Sequence, residues 1–173
     1  MSKTKKKSEE RKNFKINSTS VFCATVVHCE ENHYVLKKVV IYGKDEKGML
    51  FEGEEDHVNI FDTADVELLT NIGVKNDDKI QFNAKAYKYT RQNGSEDYGL
   101  KNFSNVKKII DYITPKEEDL LDEAIQQLVC ETCLFVERCY GFCIANEYET
   151  NKRFNLIKTA ILNRRGVGCA VDE

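Results

Sequence analysis

Tryptophan is absent from the 173-residue chain, and proline occurs once, at Pro115. So little proline excludes a Pro-rich linker and a collagen-like chain. No apolar run approaches the roughly 20 residues that span a bilayer, which excludes a membrane-spanning helix and sets the expectation of no membrane partner. The opening Met1-Ser2-Lys3-Thr4-Lys5-Lys6-Lys7 leads into no apolar stretch, so no secretory signal is expected and a reducing, cytoplasmic setting is. Catalytic signatures are missing as well. There is no Gly-rich phosphate loop of the Walker type, no HExxH, no Ser-His-Asp order and no paired-carboxylate motif, so an enzyme is not expected. Of the three histidines, His28 and His33 lie near the first hairpin and His57 lies beside Asp56. No His-x-x-x-His pair occurs, and although His57 could serve a metal or act as a base, a satisfied or exposed histidine is the favoured reading.

Apolar residues make up 41% of the chain and charged residues 32%, a polar composition still able to build a core. The net charge of −3 conceals a division. Residues 1–16 hold seven basic and two acidic side chains, a balance of +5, which leaves −8 on the remainder. A basic, flexible tail over residues 1–15 thus precedes an acidic body. Clustered Lys can release counterions from a phosphate backbone, although a solvated terminus has the same composition.

The body changes character along its length. Ser20–Cys29 is β-branched and aromatic, Glu30-Glu31-Asn32-His33 supplies a turn, and Tyr34–Tyr42 reads as a second strand, so the two form a hairpin. A third strand is centred on His57–Phe61. Asp62-Thr63 then cap a short helix, Ala64–Asn71, which Gly73 ends. Lys79–Thr90 alternates cleanly: Ile80, Phe82, Ala84 and Ala86 share one side, and Gln81, Asn83, Lys85, Tyr87 and Tyr89 the other. Arg91–Asp97 is a turn with an Asn-Gly signal, and Tyr98–Val106 is a fifth strand. From Pro115 onward the pattern is helical, with Thr114 as cap, Pro115 in the first turn and a last helix over Asn151–Arg164. The expected organisation is a tail (1–15), a β-domain (16–113) and a helical, Cys-rich extension (114–173), an α+β chain.

Three strands, a short helix and two strands, with the GVKNDDKI stretch of Gly73–Ile80 and the Phe82–Tyr89 alternation after it, resemble the OB-fold superfamily over about residues 16–108. The resemblance implies a five-stranded antiparallel barrel with a C-terminal helical hairpin appended, and a partner that is single-stranded DNA or RNA. Strict alternation then assigns the candidate binding residues. Lys85, Tyr87, Tyr89 and Arg91 share a face of the fourth strand, Tyr34 and Lys38 share a parity in the second, and Phe103 lies with Lys101 in the fifth. Aromatic rings among basic side chains suit stacking with phosphate contact, but the same tyrosines could pack on other elements, and Arg91 could be spent on Glu96 or Asp97.

Seven cysteines is a high count for a reducing compartment. Cys130, Cys133, Cys139 and Cys143 lie in a C-x2-C-x5-C-x3-C run, and four thiolates would suit tetrahedral zinc. On one continuous helix over Glu117–Asn146, however, Cys139 and Cys143 fall on the apolar face with Leu121, Ile125, Leu128 and Phe135, and Cys130 and Cys133 fall opposite. Zinc ligands and structural thiols therefore both stand. The functional expectation is a nucleic-acid-binding protein, or an accessory of a nucleic-acid-processing complex, in a style that suits a phage or mobile element. The alternative is an acidic interaction or inhibitor protein engaging a basic protein partner.

Overall fold

Runs of β-branched and aromatic residues broken by Gly, Asn and Asp make the first two-thirds of the chain into a sheet, as the computed structural model shows. It describes residues 19–30, 32–44, 50–92, 94–133 and 147–168. The basic leader, Cys139 and Cys143 lie outside these residues. Two units divide at Lys108/Ile109.

The first unit contains β1 (Thr19–Glu30), β2 (His33–Lys44), β3 (Leu50–Ile60), α1 (Thr63–Asn71), β4 (Lys79–Thr90) and β5 (Glu96–Ile109). The strands form one sheet in the order β3-β2-β1-β4-β5, with β1 antiparallel to both β2 and β4, and β2 antiparallel to β3. The sheet is open: among the described residues β3 and β5 do not pair, so the expected five-stranded antiparallel barrel is corrected to an open five-stranded sheet within an α+β fold.

One face of the sheet carries the core. Phe22, Phe82 and Phe103 stack in series, with ring centroids 5.5 and 4.4 Å apart. Leu36, Val39, Ile41, Val58, Ile60 and Ile80 are buried around them. Helix α1 adds Val66 and Leu69 to the same core. Asp62 caps α1 by accepting from the N–H groups of Ala64 and Asp65 at 3.1 and 3.3 Å. Gly73, at φ +73°, closes it, and the Val74 N–H reaches back to the Leu69 carbonyl at 3.1 Å.

Irregularities in the ladders decide which side chains face that core. In β2 the register slips between the pairs Thr25–Lys37 and Cys23–Val40, and Lys38 is left-handed at φ +49°. Both Lys37 and Lys38 are exposed, while Leu36 and Val39 on either side are buried. In β5, Asn102 (φ +59°) and Asn105 (φ +51°) act alike, and the inward residues Leu100, Phe103 and Val106 recur every third position. A left-handed non-glycine residue costs about 1–2 kcal/mol. Turning a large apolar side chain inward gains about 1.5–3 kcal/mol, so burial prevails. Asn tolerates this conformation better than most residues.

The second unit contains α2 (Pro115–Glu131) and α3 (Glu147–Arg165). Thr114 and Glu117 form a reciprocal capping box with Pro115 in the first turn. Ile125 and Val129 are the buried residues of α2, and Leu128, expected on the apolar face, is 46% exposed. Lys158 of α3 donates to Glu118 at 2.6 Å and to Asp122 at 3.0 Å, joining the two helices. After α3 the chain returns to the segment before α2: Arg165 donates to Asp111 at 2.8 Å, and the Gly168 N–H donates to the Asp111 carbonyl at 2.9 Å.

Candidate functional site

The alternation in β4 puts Ile80, Phe82, Ala84 and Ala86 into the core and leaves Lys85, Tyr87 and Tyr89 half-buried on the opposite face. Gly99 of β5 lies against Tyr87: a Cβ there would sit 2.9 Å from the ring atom Cε1. The tyrosine therefore occupies the space that a side chain at Gly99 would fill. Lys101 places its ammonium 5.0 Å from the centroid of the same ring, and the Tyr89 ring is 5.8 Å away at 40°. Lys85, Tyr87, Tyr89 and Lys101 thus form one strip of rings and cations. Burial raises the Tyr87 phenol above its ordinary range, helped by Tyr89, Asp62 and Asp65, so the group remains a neutral donor.

The strip ends at an ion pair. Asp97 is almost wholly buried and accepts from the Tyr89 hydroxyl at 3.2 Å, the Arg91 Nε at 3.0 Å and its own neighbour's N–H, that of Tyr98, at 2.8 Å. The second Arg91 nitrogen meets the same carboxylate oxygen. The Asp97 hydrogen bond raises the Arg91 pKa further, so the cation is permanent. It is also neutralised locally, and Arg91 serves to fix Tyr89 and the β4–β5 turn. In that turn the Arg91 N–H donates to the Ser95 carbonyl at 2.7 Å.

Two sequence-assigned site residues are corrected. Tyr34 is 3% exposed and faces the core, its hydroxyl within 3.2 Å of Thr70 Oγ1. The bulge at Lys38 breaks the parity that linked the two, so only Lys38 is exposed. Phe103 is 7% exposed and stacked on Phe82, because the left-handed Asn102 separates its face from that of Lys101. Neither ring is open to a base. The signal was present as an apolar-polar-polar-apolar pattern, Leu36-Lys37-Lys38-Val39 and Leu100-Lys101-Asn102-Phe103, which regular alternation cannot satisfy. The pairing of Arg91 with Asp97 was one of the two expected across the turn, whereas Gly99, which makes room for the Tyr87 ring, had no distinguishing local pattern.

The cysteine run changes form at its start. Helix α2 stops at Glu131, where the Thr132 hydroxyl donates to the Leu128 carbonyl at 2.8 Å and the Cys133 N–H turns to the Cys130 carbonyl at 3.1 Å. The single helix through Glu117–Asn146 is therefore corrected, and with it the argument that placed Cys130 and Cys133 opposite Cys139 and Cys143. Cys130 is exposed, Cys133 half-buried, and both thiols are free. Among the described residues no helix is long and apolar enough to cross a membrane. Comparison with protein-family models, curated proteins and solved structures finds no match for this chain.

Proposed function

We propose that the chain binds single-stranded nucleic acid through the outer face of β4 and β5. The observation that carries the reading is the strip of Lys85, Tyr87, Tyr89 and Lys101, in which two tyrosine rings lie side by side and an ammonium group lies over one of them. Aromatic faces accept any base, at about 1–3 kcal/mol per stacked base, and the cations supply salt-sensitive phosphate contact. Lys101 would exchange the Tyr87 ring for a phosphate as a base took its place. Exposed Lys38 on β2 would add a further backbone contact. An OB-like reading of the first unit supports the same use by analogy, since three strands, a helix and two strands make an open sheet here and a partly open barrel in OB folds.

The test is fluorescence anisotropy with labelled single-stranded DNA, single-stranded RNA and duplex at two salt concentrations. The expected result is salt-sensitive binding to a single strand that Tyr87→Ala with Tyr89→Ala abolishes and Tyr87→Phe with Tyr89→Phe retains. Unchanged binding by the double alanine variant would remove the strip from the interface. A second reading, docking to a basic protein, is favoured by the −8 balance of the body and by the internal neutralisation of Arg91. Absence of nucleic-acid binding even at low salt would support it.

A further inference from the structure

The end of the β1–β2 hairpin gathers side chains for which the proposed interface has no use. Strict alternation from the buried Val26 would turn His28 into the core. Instead the register slips between Val26–Leu36 and His28–Val35, and His28 emerges on the outer face. Beyond the slip, Cys29 pairs with the inward Tyr34, and Glu30 pairs directly with His33. His28, Glu30 and His33 therefore meet on one face, with their ligand atoms all within 4.8 Å of one another. His28 Nε2 lies 3.0 Å from Glu30 Oε1, and the two imidazole centroids are 5.6 Å apart.

His33 is held from its other side. Its ring stacks on Phe61 at 4.4 Å and 4°, and its Nε2 is 3.4 Å from Asn59 Oδ1. A proton on Nε2 donated to Asn59 leaves Nδ1 with its lone pair. This is the outer-shell support that metal-binding imidazoles ordinarily have. The contact also accounts for Phe61, 66% exposed, at the end of β3. Ligand atoms 2.0–2.1 Å from a tetrahedral ion lie roughly 3.3 Å apart, so the 3.0 Å between His28 and Glu30 is close to the spacing of adjacent ligands.

We propose that His28, Glu30 and His33 form a binding site for a divalent transition metal, with zinc as the best-suited ion. Two imidazoles and one carboxylate favour borderline cations over calcium or magnesium, which take oxygen ligands. Both imidazoles bind in the neutral form. The neutral His28 ring would carry its proton on Nδ1, so that its Nε2 lone pair and the Glu30 carboxylate both face the ion, and any proton that the metal displaces passes to solvent. Three protein ligands leave the fourth position to water or to a donor from a partner. The site does not depend on the nucleic-acid reading.

Because the chain has three histidines, imidazole-selective NMR resolves the question. Zinc chloride is titrated into the metal-free full chain under reducing conditions, and in parallel into a Cys130→Ser/Cys133→Ser variant, which removes that thiol pair as a competitor. The expected result in both is that the His28 and His33 ring signals shift together and saturate, while those of His57, outside the cluster, stay in place. His33→Ala should weaken the saturating affinity at least ~100-fold. Asn59→Ala, which leaves all three ligands intact, should weaken it by about 10–100-fold. If the His28 and His33 signals stay still in the thiol-deficient variant at a several-fold excess of zinc, or move only in step with His57, the site does not exist.

Discussion

The Asp65 carboxylate, on α1, accepts the backbone N–H of Phe103, on β5, at 2.7 Å. Its second oxygen accepts the N–H of Asn102 at 3.0 Å. One buried side chain thus satisfies both amides at the position where β5 turns left-handed, and it ties the helix to the strand that carries the third phenylalanine of the core stack. Asp65→Ala would leave two amides without this acceptor, at about 1–3 kcal/mol each, offset in part by relief from burying a charge. A net loss of about 2–4 kcal/mol is expected in denaturant unfolding.

The pH dependence of that loss has a definite sign. Burial raises the Asp65 carboxyl above its ordinary 3.8, against the lowering effect of the two amides. The folded state then holds the proton more tightly than the unfolded state, so the associated stability is fully present below 3.8 and is lost as pH rises through the folded value. The difference between wild type and Asp65→Ala should therefore widen as pH falls from neutral through the folded pKa towards 3.8. Unfolding series at matched pH values check this, and a difference that narrows would reverse the assigned direction.

Gly99→Ala tests the tyrosine strip without touching a ring. The new Cβ would lie 2.9–3.1 Å from Tyr87 Cε1, Cζ and Oη, so the ring must move aside and surrender its contact with Lys101. The expected cost in stability is about 1 kcal/mol, within the range of small overpacking. Single-strand affinity should fall about 5–150-fold, the equivalent of one stacked base. An unaltered anisotropy titration would mean that the position of Tyr87 is irrelevant to binding.

Cys23 should be the slow thiol. It is 4% exposed, and burial pushes its pKa up to about 11, with Lys107 acting weakly in the other direction. At pH 8 it is a protonated thiol inside the sheet, whereas Cys130 is exposed. Iodoacetamide labelling followed by peptide mass mapping should modify Cys130 at least roughly 100-fold faster than Cys23 in the native protein. Comparable rates in denaturant would confirm that the fold, and not the local sequence, protects Cys23.

Gly166→Ala should destabilise the helical unit. The residue is left-handed at φ +69°, and a Cβ would fall 2.7 Å from Ile110 Cγ2. Backbone strain and the clash together suggest about 1–3 kcal/mol. They would also disturb the return of the chain to Asp111. Thermal unfolding followed by helical circular dichroism is the measurement, and an unchanged midpoint would show that the Asp111–Gly168 connection is dispensable.

Local chemistry alone determined the elements. The order of five strands around a short helix, the Asp62 and Gly73 ends of α1, the Thr114–Pro115 start of α2 and the two sides of β4 follow from periodicity and capping, which act over a few residues. Facing was legible only where alternation was regular. Lys38 and Asn102 interrupt it, so Tyr34 and Phe103 are core residues although simple parity puts them outside. Tertiary structure decided the rest, because it depends on partners distant in sequence. Asp65 finds Phe103 38 residues away, and Tyr87 settles over Gly99. His28 and His33 have no helical metal spacing, yet they come together because a bulge and a hairpin register place them on one face. A strand residue's neighbours are set by the ladder it joins, and its own sequence window does not contain that ladder.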